Sequence, residues 1–295
     1  SSGIHSINYV ENFKVFYEQK EKDKPFFFWY GGFEPHRPYE AGSGNKSDLG
    51  ETDAIIPEFL PDVPPIREDI LDYFFEISWF DKQLGEMLDF LKYKGDLENT
   101  IIIVTADNGM PFPAAKANLM EYGTHVPLLI SWPLKIKGSI IVKDLISLID
   151  LAPTLLDIVG TGERPEMTGK SFAALLFDGT NLAEYKPRDY VLTGRERHTH
   201  ARPDNLGYPS RAIRNSNYLY IWNIKPERWP AGNPMPPGTK ENTPNAPFRK
   251  LWPGYHDVDD SPSKSFLLKH KMDFENQFAI AFSKRPGEQL YDVQK

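Results

Sequence analysis

The stretch TIIIVTADNGMPFPAAK, residues 100–116, leaves the chain few folds to choose from. Ile101, Ile102, Ile103 and Val104 give a strand with no polar face. Such strands lie in sheets covered by helices on both sides rather than in sheets with one wet face. The strand then runs without a linker into Asp107, Asn108 and Gly109. A buried strand therefore delivers two oxygen donors to the rim of its sheet.

The rest of the chain reads as the cover such a sheet needs. Tyr9, Phe13, Phe16 and Tyr17 recur at helical spacing, and PFFFWYGG at 25–32 reads as a second buried strand ending in two glycines. Residues 38–65, rich in proline, glycine and acid, read as a loop. Ile70, Phe74, Ile77, Leu84, Leu88 and Leu91 mark one face of a helix over about 66–94, stopped at Gly95. Asp81 interrupts that face and reads as a paired structural acid. PLLISW at 127–132 supplies a neighbour for the strand at 101–106. KDLISLIDLAPTLLDIVG at 143–160 reads as two short helices broken before Pro153, with Asp150 as the N-cap of the second. DYVLTG at 189–194 is one more strand. This alternation predicts an α/β fold, a mainly parallel sheet sandwiched by helices. Beyond about residue 205 the texture changes to a small antiparallel α+β subdomain. It has a hairpin around Asn215-Ser216-Asn217, a long ordered loop over 225–265 anchored by Trp222, Trp229, Trp252 and Tyr255, and a final strand QLYDV.

At 295 residues and 40% apolar, the chain can bury one large core with a smaller appended unit. No run approaches the roughly 18–20 uninterrupted apolar residues of a membrane span. The opening SSGIHSINYVENF has neither the basic start nor the apolar run of a signal peptide. The absence of cysteine excludes disulfides, thiolate metal sites and a thiol nucleophile, and fits a bacterial protein better than a disulfide-rich animal secreted one. A net charge of -7 argues against broad electrostatic binding to nucleic acid or an anionic membrane. An anionic small substrate would need a local basic pocket.

In open α/β sheets, ligands bind beyond the carboxyl ends of the strands. Asp107 and Asn108 stand at such an end, and one charged and one neutral hard oxygen donor suit Ca²⁺ or Mg²⁺ better than zinc. Asp-Asn-Gly also forms an Asx turn that needs no ligand. GGFEPHRPYE at 31–40 brings His36 and Arg37 to the same edge, and Lys116 follows Asp107 in the proline-rich bend. Each of these alone also reads as a solvated side chain. Together they supply a cation site, anion clamps and a proton donor, the set that hydrolysis of an anionic ester requires.

PFFFWYGGFEPHRPY, DYFFEISWFDKQLGEMLDFL, TIIIVTADNGMPFPAAKANLMEYGTHVPLLISWP and LISLIDLAPTLLDIVG, in this order, resemble the sulfatases of the alkaline-phosphatase superfamily over nearly the whole chain. The DNGMPFP bend, TGRERH and YPSRAIR are most similar to the heparan N-sulfatase (N-sulfoglucosamine sulfohydrolase) branch. The resemblance implies an alkaline-phosphatase-like fold and hydrolysis of a sulfuric ester or N-sulfate on an amino sugar. It implies a divalent cation, usually Ca²⁺ with Mg²⁺ as the alternative, at Asp107 and Asn108. It makes His36 the sulfate contact and leaving-group acid, makes Lys116 the holder of a sulfate oxygen, and implies a periplasmic or secreted location. The family's nucleophile is a formylglycine made from the first residue of a CxPxR or SxPxR motif, and neither motif is here. The near match GYPSR at 207–211 puts Gly207 in that position and reads as part of a hairpin. The chain is therefore expected to be the C-terminal portion of a sulfatase. Residues 1–195 would complete the catalytic domain, 196–295 would form a C-terminal subdomain, and the formylglycine would lie in an upstream segment. The isolated chain is expected to associate with that segment or with itself.

LTGRERHTHARP concentrates Arg195, Arg197, His198, His200 and Arg202 directly after a strand end. A solvated basic loop is one reading. The other is a clamp for an acidic sugar's carboxylate or a second sulfate, because guanidinium matches such oxyanions bidentately. The expected substrate contacts are Arg37, Arg195, Arg197, His198 and His200. Two further readings stay open: a metal-dependent phosphatase or phosphodiesterase on the same scaffold, and a non-catalytic, degenerate sugar-binding protein.

Overall fold

The computed structural model describes residues 3–138, 140–162, 166–177, 185–234 and 254–294. Helix α1 (Tyr9–Gln19) starts where the Asn8 side chain accepts a 3.0 Å hydrogen bond from the Glu11 amide. Its buried face, Tyr9, Val10, Phe13 and Tyr17, packs with Met87 and Leu91 of helix α2 (Pro64–Lys94). Between them runs PFFFWYGG, which is extended but forms no strand, contrary to expectation. Phe26, Phe28 and Tyr30 tuck against the two helices while Phe27 and Trp29 are 71% and 78% exposed, the alternation of a strand. A strand exists only where a neighbour supplies hydrogen bonds, and no described segment pairs with this one.

Helix α2 is the axis of the molecule, 31 residues long, or about 46 Å at 1.5 Å per residue. Pro64 opens it at a position that needs no amide donor, and Gly95 closes it at φ 82°. Ile66, Ile70, Leu71, Met87 and Leu91 are buried as a helical stripe requires, but Ile77 and Asp81 face solvent. The inward face also carries Asp69, Asp72, Glu76 and Gln83. These buried polar groups fasten loops. Asp72 accepts the amides of Gly42 and Gly44 at 3.0 and 2.8 Å, drawing the 38–63 loop so close that a Cβ on Gly44 would lie 2.6 Å from the Leu71 backbone.

Strand β1 (Ile102–Thr105) is followed by a short helix α3 (Glu121–Thr124) and strand β2 (Leu128–Ser131). β2 neighbours β1 as expected, but runs antiparallel, with Ile102 opposite Ser131 and Thr105 opposite Leu128. All strand pairings among the described residues are antiparallel, so the mainly parallel pairing is not formed among them. Helix α4 (Leu151–Ile158) runs through Pro153 rather than breaking before it. Pro153 is the third helical residue, where an amide would have no intrahelical acceptor. Asp150 stands at the N-cap position, but its carboxylate does not cap. It accepts from Arg188 Nε and the Ser147 and Lys170 amides at 2.9, 2.9 and 2.8 Å.

Strands β3 (Val191–Arg195), β4 (Ser210–Arg214) and β5 (Tyr218–Asn223), helices α5 (Pro262–Lys269) and α6 (Glu275–Phe282), and strand β6 (Glu288–Asp292) complete the chain. The strands form one antiparallel sheet in the order β3-β4-β5-β6. Asn215 Oδ1 accepts the amides of Asn217 and Tyr218 at 2.9 and 2.8 Å, which closes the expected β4–β5 hairpin. Trp252 lies outside the described residues. Trp229 and Tyr255 are seated in the main core, where the first half of α2 meets Phe112, Ala231, Val258, α5 and α6. The segment entering α5 is thereby laid across the bend that follows β1. No helix among the described residues is long and apolar enough to cross a membrane.

Candidate functional site

The bend after β1 is shaped by close backbone contacts. The Gly109 amide donates to the Gly123 carbonyl at 3.2 Å, and a Cβ at Gly109 would lie 1.8 Å from the Tyr122 carbonyl oxygen. Only glycine fits there, for lack of space rather than for an unusual φ. Ala114 and Ala117 take φ 67° and 61°, uncommon for residues with a side chain. They flank Lys116, whose amide donates to the Met110 carbonyl at 3.0 Å. This bend aims the Lys116 ammonium at Asp259 Oδ2, 3.1 Å away, and at His36 Nε2, 3.5 Å away.

His36 comes from the loop before α2, and its neighbour Arg37 anchors that loop. Arg37 is buried, donates from Nη1 and Nη2 to both oxygens of Asp69 at 2.7 and 2.9 Å, and donates from Nε to the Pro111 carbonyl at 2.9 Å. Its guanidinium also lies 4.4 and 4.6 Å from the Tyr39 and Phe112 rings. The expectation that Arg37 contacts substrate is corrected: all three nitrogens are engaged inside the protein, and what they do is join the His36 loop, α2 and the Lys116 bend. Ser263 Oγ donates to the same Asp69 at 2.6 Å. His36 Nδ1 is 2.6 Å from the Arg37 carbonyl oxygen. A carbonyl can only accept, so Nδ1 carries the proton and a neutral His36 turns its Nε2 lone pair toward Lys116.

Asp259 completes the group. Burial alone would raise its carboxyl, but His198 and Lys116 outweigh burial and hold it well below the usual carboxylate range. His198 Nε2 stands 4.0 Å from Asp259 Oδ1. Of the other basic residues, Arg197 and His200 are exposed. Arg195 is corrected like Arg37. Its guanidinium donates to Asp257 at 2.6 Å, to the Pro230 carbonyl at 2.8 Å and to the Ala117 carbonyl, which locks β3 to the bend. Arg202 Nη2 joins the same Asp257 oxygen at 2.7 Å. His125 is turned toward Glu121, 3.4 Å away.

Asp107 is exposed beyond β1, and Asn108 Nδ2 donates to its neighbour Gly109 at 2.8 Å. That bond uses the amide nitrogen and leaves Asn108 Oδ1 as a donor toward a cation. Among the described residues, no three His, Cys, Asp or Glu side chains converge as a metal site. The residues missed by sequence reasoning are Asp257 and Asp259. One signal could have found them: three acids in the four residues 257–260 of a chain that also carries a basic cluster at 195–202. An ammonium, two imidazoles and a carboxylate beside them can hold a tetrahedral anion and move a proton to its leaving group.

The sulfatase family model matches residues 5–161. An ulvan-active sulfatase of Formosa agariphila is 33% identical over 175 residues, 59% of this chain and 27% of that protein. The human N-sulphoglucosamine sulphohydrolase is 28% identical over 238 residues, 70% of this chain and 45% of that protein. Among solved structures, a Bacteroides thetaiotaomicron protein designated 4S-sulf, from a locus for the metabolism of multiple glycosaminoglycans, superposes with a TM-score of 0.58 at 25% identity. That superposition covers 73% of this chain and 47% of that one, and the fold is the alkaline-phosphatase-like α/β fold. The chain spans less than half the length of each of these relatives.

Proposed function

Because this chain belongs to the sulfatase family, we propose that His36, Lys116, Asp259 and His198 are part of an active site that hydrolyses the sulfate ester or N-sulfate of an amino sugar. The observation that carries the proposal is Lys116 Nζ held at 3.1 Å from Asp259 and 3.5 Å from His36 Nε2, a cation fixed in place with its side chain still 11% exposed. A sulfate oxygen entering there meets a fixed positive charge, which stabilises the anionic transition state without reorganisation. The Arg37 carbonyl fixes the tautomer of His36, so Nε2 is the atom that takes up a proton and later gives it to the departing amine or alkoxide. The Asp259 carboxylate pairs with Lys116 Nζ at 3.1 Å and stands 4.0 Å from His198 Nε2.

Asp107 and Asn108 offer one charged and one neutral oxygen and would hold one side of Ca²⁺ or Mg²⁺. Such an ion supplies Lewis-acid neutralisation of the sulfate oxygens. The sequence has no CxPxR or SxPxR motif, so the family's formylglycine is assigned to a residue outside this chain. Likeness to the human sulphohydrolase supports an N-sulfated glucosamine as substrate, with Arg197 and His200 free to meet further acidic groups of the sugar. The reading places the enzyme outside the cytoplasm, in a periplasm or secreted.

The test is sulfate release from N-sulfoglucosamine and from an activated aryl sulfate by the natural protein. His36→Ala is expected to lower kcat on the sugar by about 10² to 10⁴ and much less on the aryl sulfate, whose phenolate leaves without help. Release of phosphate from the matching phosphate ester with none from either sulfate would overturn the assignment. Equal losses on both sulfates would move the proton donor from His36 to His198 or His200.

A further inference from the structure

A second cluster of cations lies on the other side of the Lys116 bend, where the C-terminal sheet packs against it. Tyr208, 2% exposed, sits with the Arg195 and Arg202 guanidinium carbons each 5.6 Å from its ring. The charge of a third guanidinium, Arg285, also reaches its hydroxyl. Asp257 is the carboxylate that pairs with Arg195 and Arg202. Arg285 donates to the Ile280 carbonyl and has no carboxylate partner among the described residues. The other acid that acts on Tyr208, Glu227, is exposed. Three guanidiniums against one buried carboxylate leave two positive charges unbalanced.

The hydrogen bonding is unbalanced in the same sense. Three buried donors at this place, the Tyr208 hydroxyl, Arg195 Nε and Arg202 Nη1, have no acceptor among the described residues. Burying donors without acceptors is costly, and more so for charged ones. Tyr208, Arg195 and Arg285 line a cavity of about 20 Å³ together with Asn118, Ser210 and Gln289. A cavity needs about 10–15 Å³ to take one water, so this one has room for a small occupant. Water brings two hydrogens as well as two lone pairs. The Gln289 oxygen already accepts from Asn223 Nδ2 at 2.9 Å, and the Ser210 carbonyl accepts from Arg211 at 2.8 Å. Asn118 Oδ1 is a wall oxygen without a donor among the described residues, and the unpaired donors with the excess positive charge favour an occupant that accepts and carries negative charge.

We propose that this cavity is a halide site, filled by chloride in the natural setting, that ties the C-terminal sheet to the bend carrying Lys116. Its reach to the bend is direct, because Arg195 also donates to the Ala117 carbonyl. The proposal rests on these residues and not on the sulfatase reading.

The experiment is thermal melting of the chain at fixed ionic strength with gluconate replaced stepwise by chloride or bromide, together with anomalous scattering from bromide-soaked crystals. A melting midpoint that rises and saturates with halide, and a bromide peak beside Tyr208, are expected. Tyr208→Phe, which removes only the hydroxyl, should weaken the apparent halide affinity by about tenfold, the size of one hydrogen bond to a charge. Arg285→Gln should abolish the saturable rise, and should it fail to fold, Tyr208→Phe with the bromide map carries the test. Identical melting in gluconate and chloride, no bromide peak, or an undiminished halide response in Tyr208→Phe would each overturn the proposal.

Discussion

Asp257 and Asp259 stand two residues apart on one segment, yet one is sealed and the other is open. Asp257 is buried and receives Arg195, Arg202 and the Thr199 amide, the last at 2.9 Å. Asp259 keeps its side chain 21% exposed and receives Lys116, with His198 at 4.0 Å. Burial pushes both carboxyls up, and in both the cations win and hold them low. What differs is the access of an outside anion to those cations. A guanidinium buried by its partner is structural, whereas an ammonium or imidazole that faces water beside its partner can exchange that partner for a substrate.

The strongest way to break this comparison is Asp257→Ala, which leaves two guanidiniums buried with no carboxylate. It should cost about 3–5 kcal/mol of stability, read by urea denaturation, and a loss below about 1 kcal/mol would show that the sealed pair behaves like a surface ion pair. Next is Lys116→Ala on the open side. Here kcat should drop by about 10² to 10³ as one charge-stabilising donor is lost, while stability changes by less than about 1 kcal/mol. A variant that melts far earlier than the parent would make Lys116 a second structural cation.

A third acid sharpens the contrast from the other direction. Glu76 is buried with no cation partner among the described residues, facing Glu34 and Asp72, and burial, then Glu34, then Asp72 push its carboxyl up to about 7. A carboxyl whose folded pKa is raised stabilises the protein in its protonated form. That stability is fully present below the ordinary value of about 4.3 and is lost as pH rises to about 7. Melting temperature should therefore fall over this window, and Glu76→Gln should flatten the slope. An unchanged slope in the variant would assign it to another group. The smallest effect belongs to the exposed Asp107 with Asn108. Two oxygens should bind Ca²⁺ no tighter than about 10⁻⁴ M, and calorimetric binding near the nanomolar range of calcium buffers would reveal a complete site in this chain.

The approach of Lys116 to His36 was legible because each follows an apolar run that the sequence marks as a strand. The α1 and α2 helices and the β4–β5 hairpin were legible from periodicity and from Asn-Ser-Asn for the same local reason. Arg37 and Arg195 were misread because a side chain's charge says nothing about which distant acid neutralises it. Their partners Asp69 and Asp257 lie 32 and 62 residues away. Asp259 was missed because it sits past a long proline and glycine rich stretch with no periodic signal to place it. PFFFWYGG kept the alternation of a strand, but pairing belongs to two segments and only one was in view.

The separation between Lys116 and Asp259 also sets a clock. The two residues are 143 positions apart, so a ribosome adding about 5–20 residues per second supplies the second roughly 7–30 s after the first. The Arg37–Asp69 tie can form early, whereas Ser263, the third member of that tie, is 194 residues beyond Asp69. For that interval the nascent chain carries His36 and Lys116 on a half-built bend without the carboxylate that pairs with Lys116. The arrival of residues 257–264 thus completes a cluster capable of holding an anion well after His36 and Lys116 have been made.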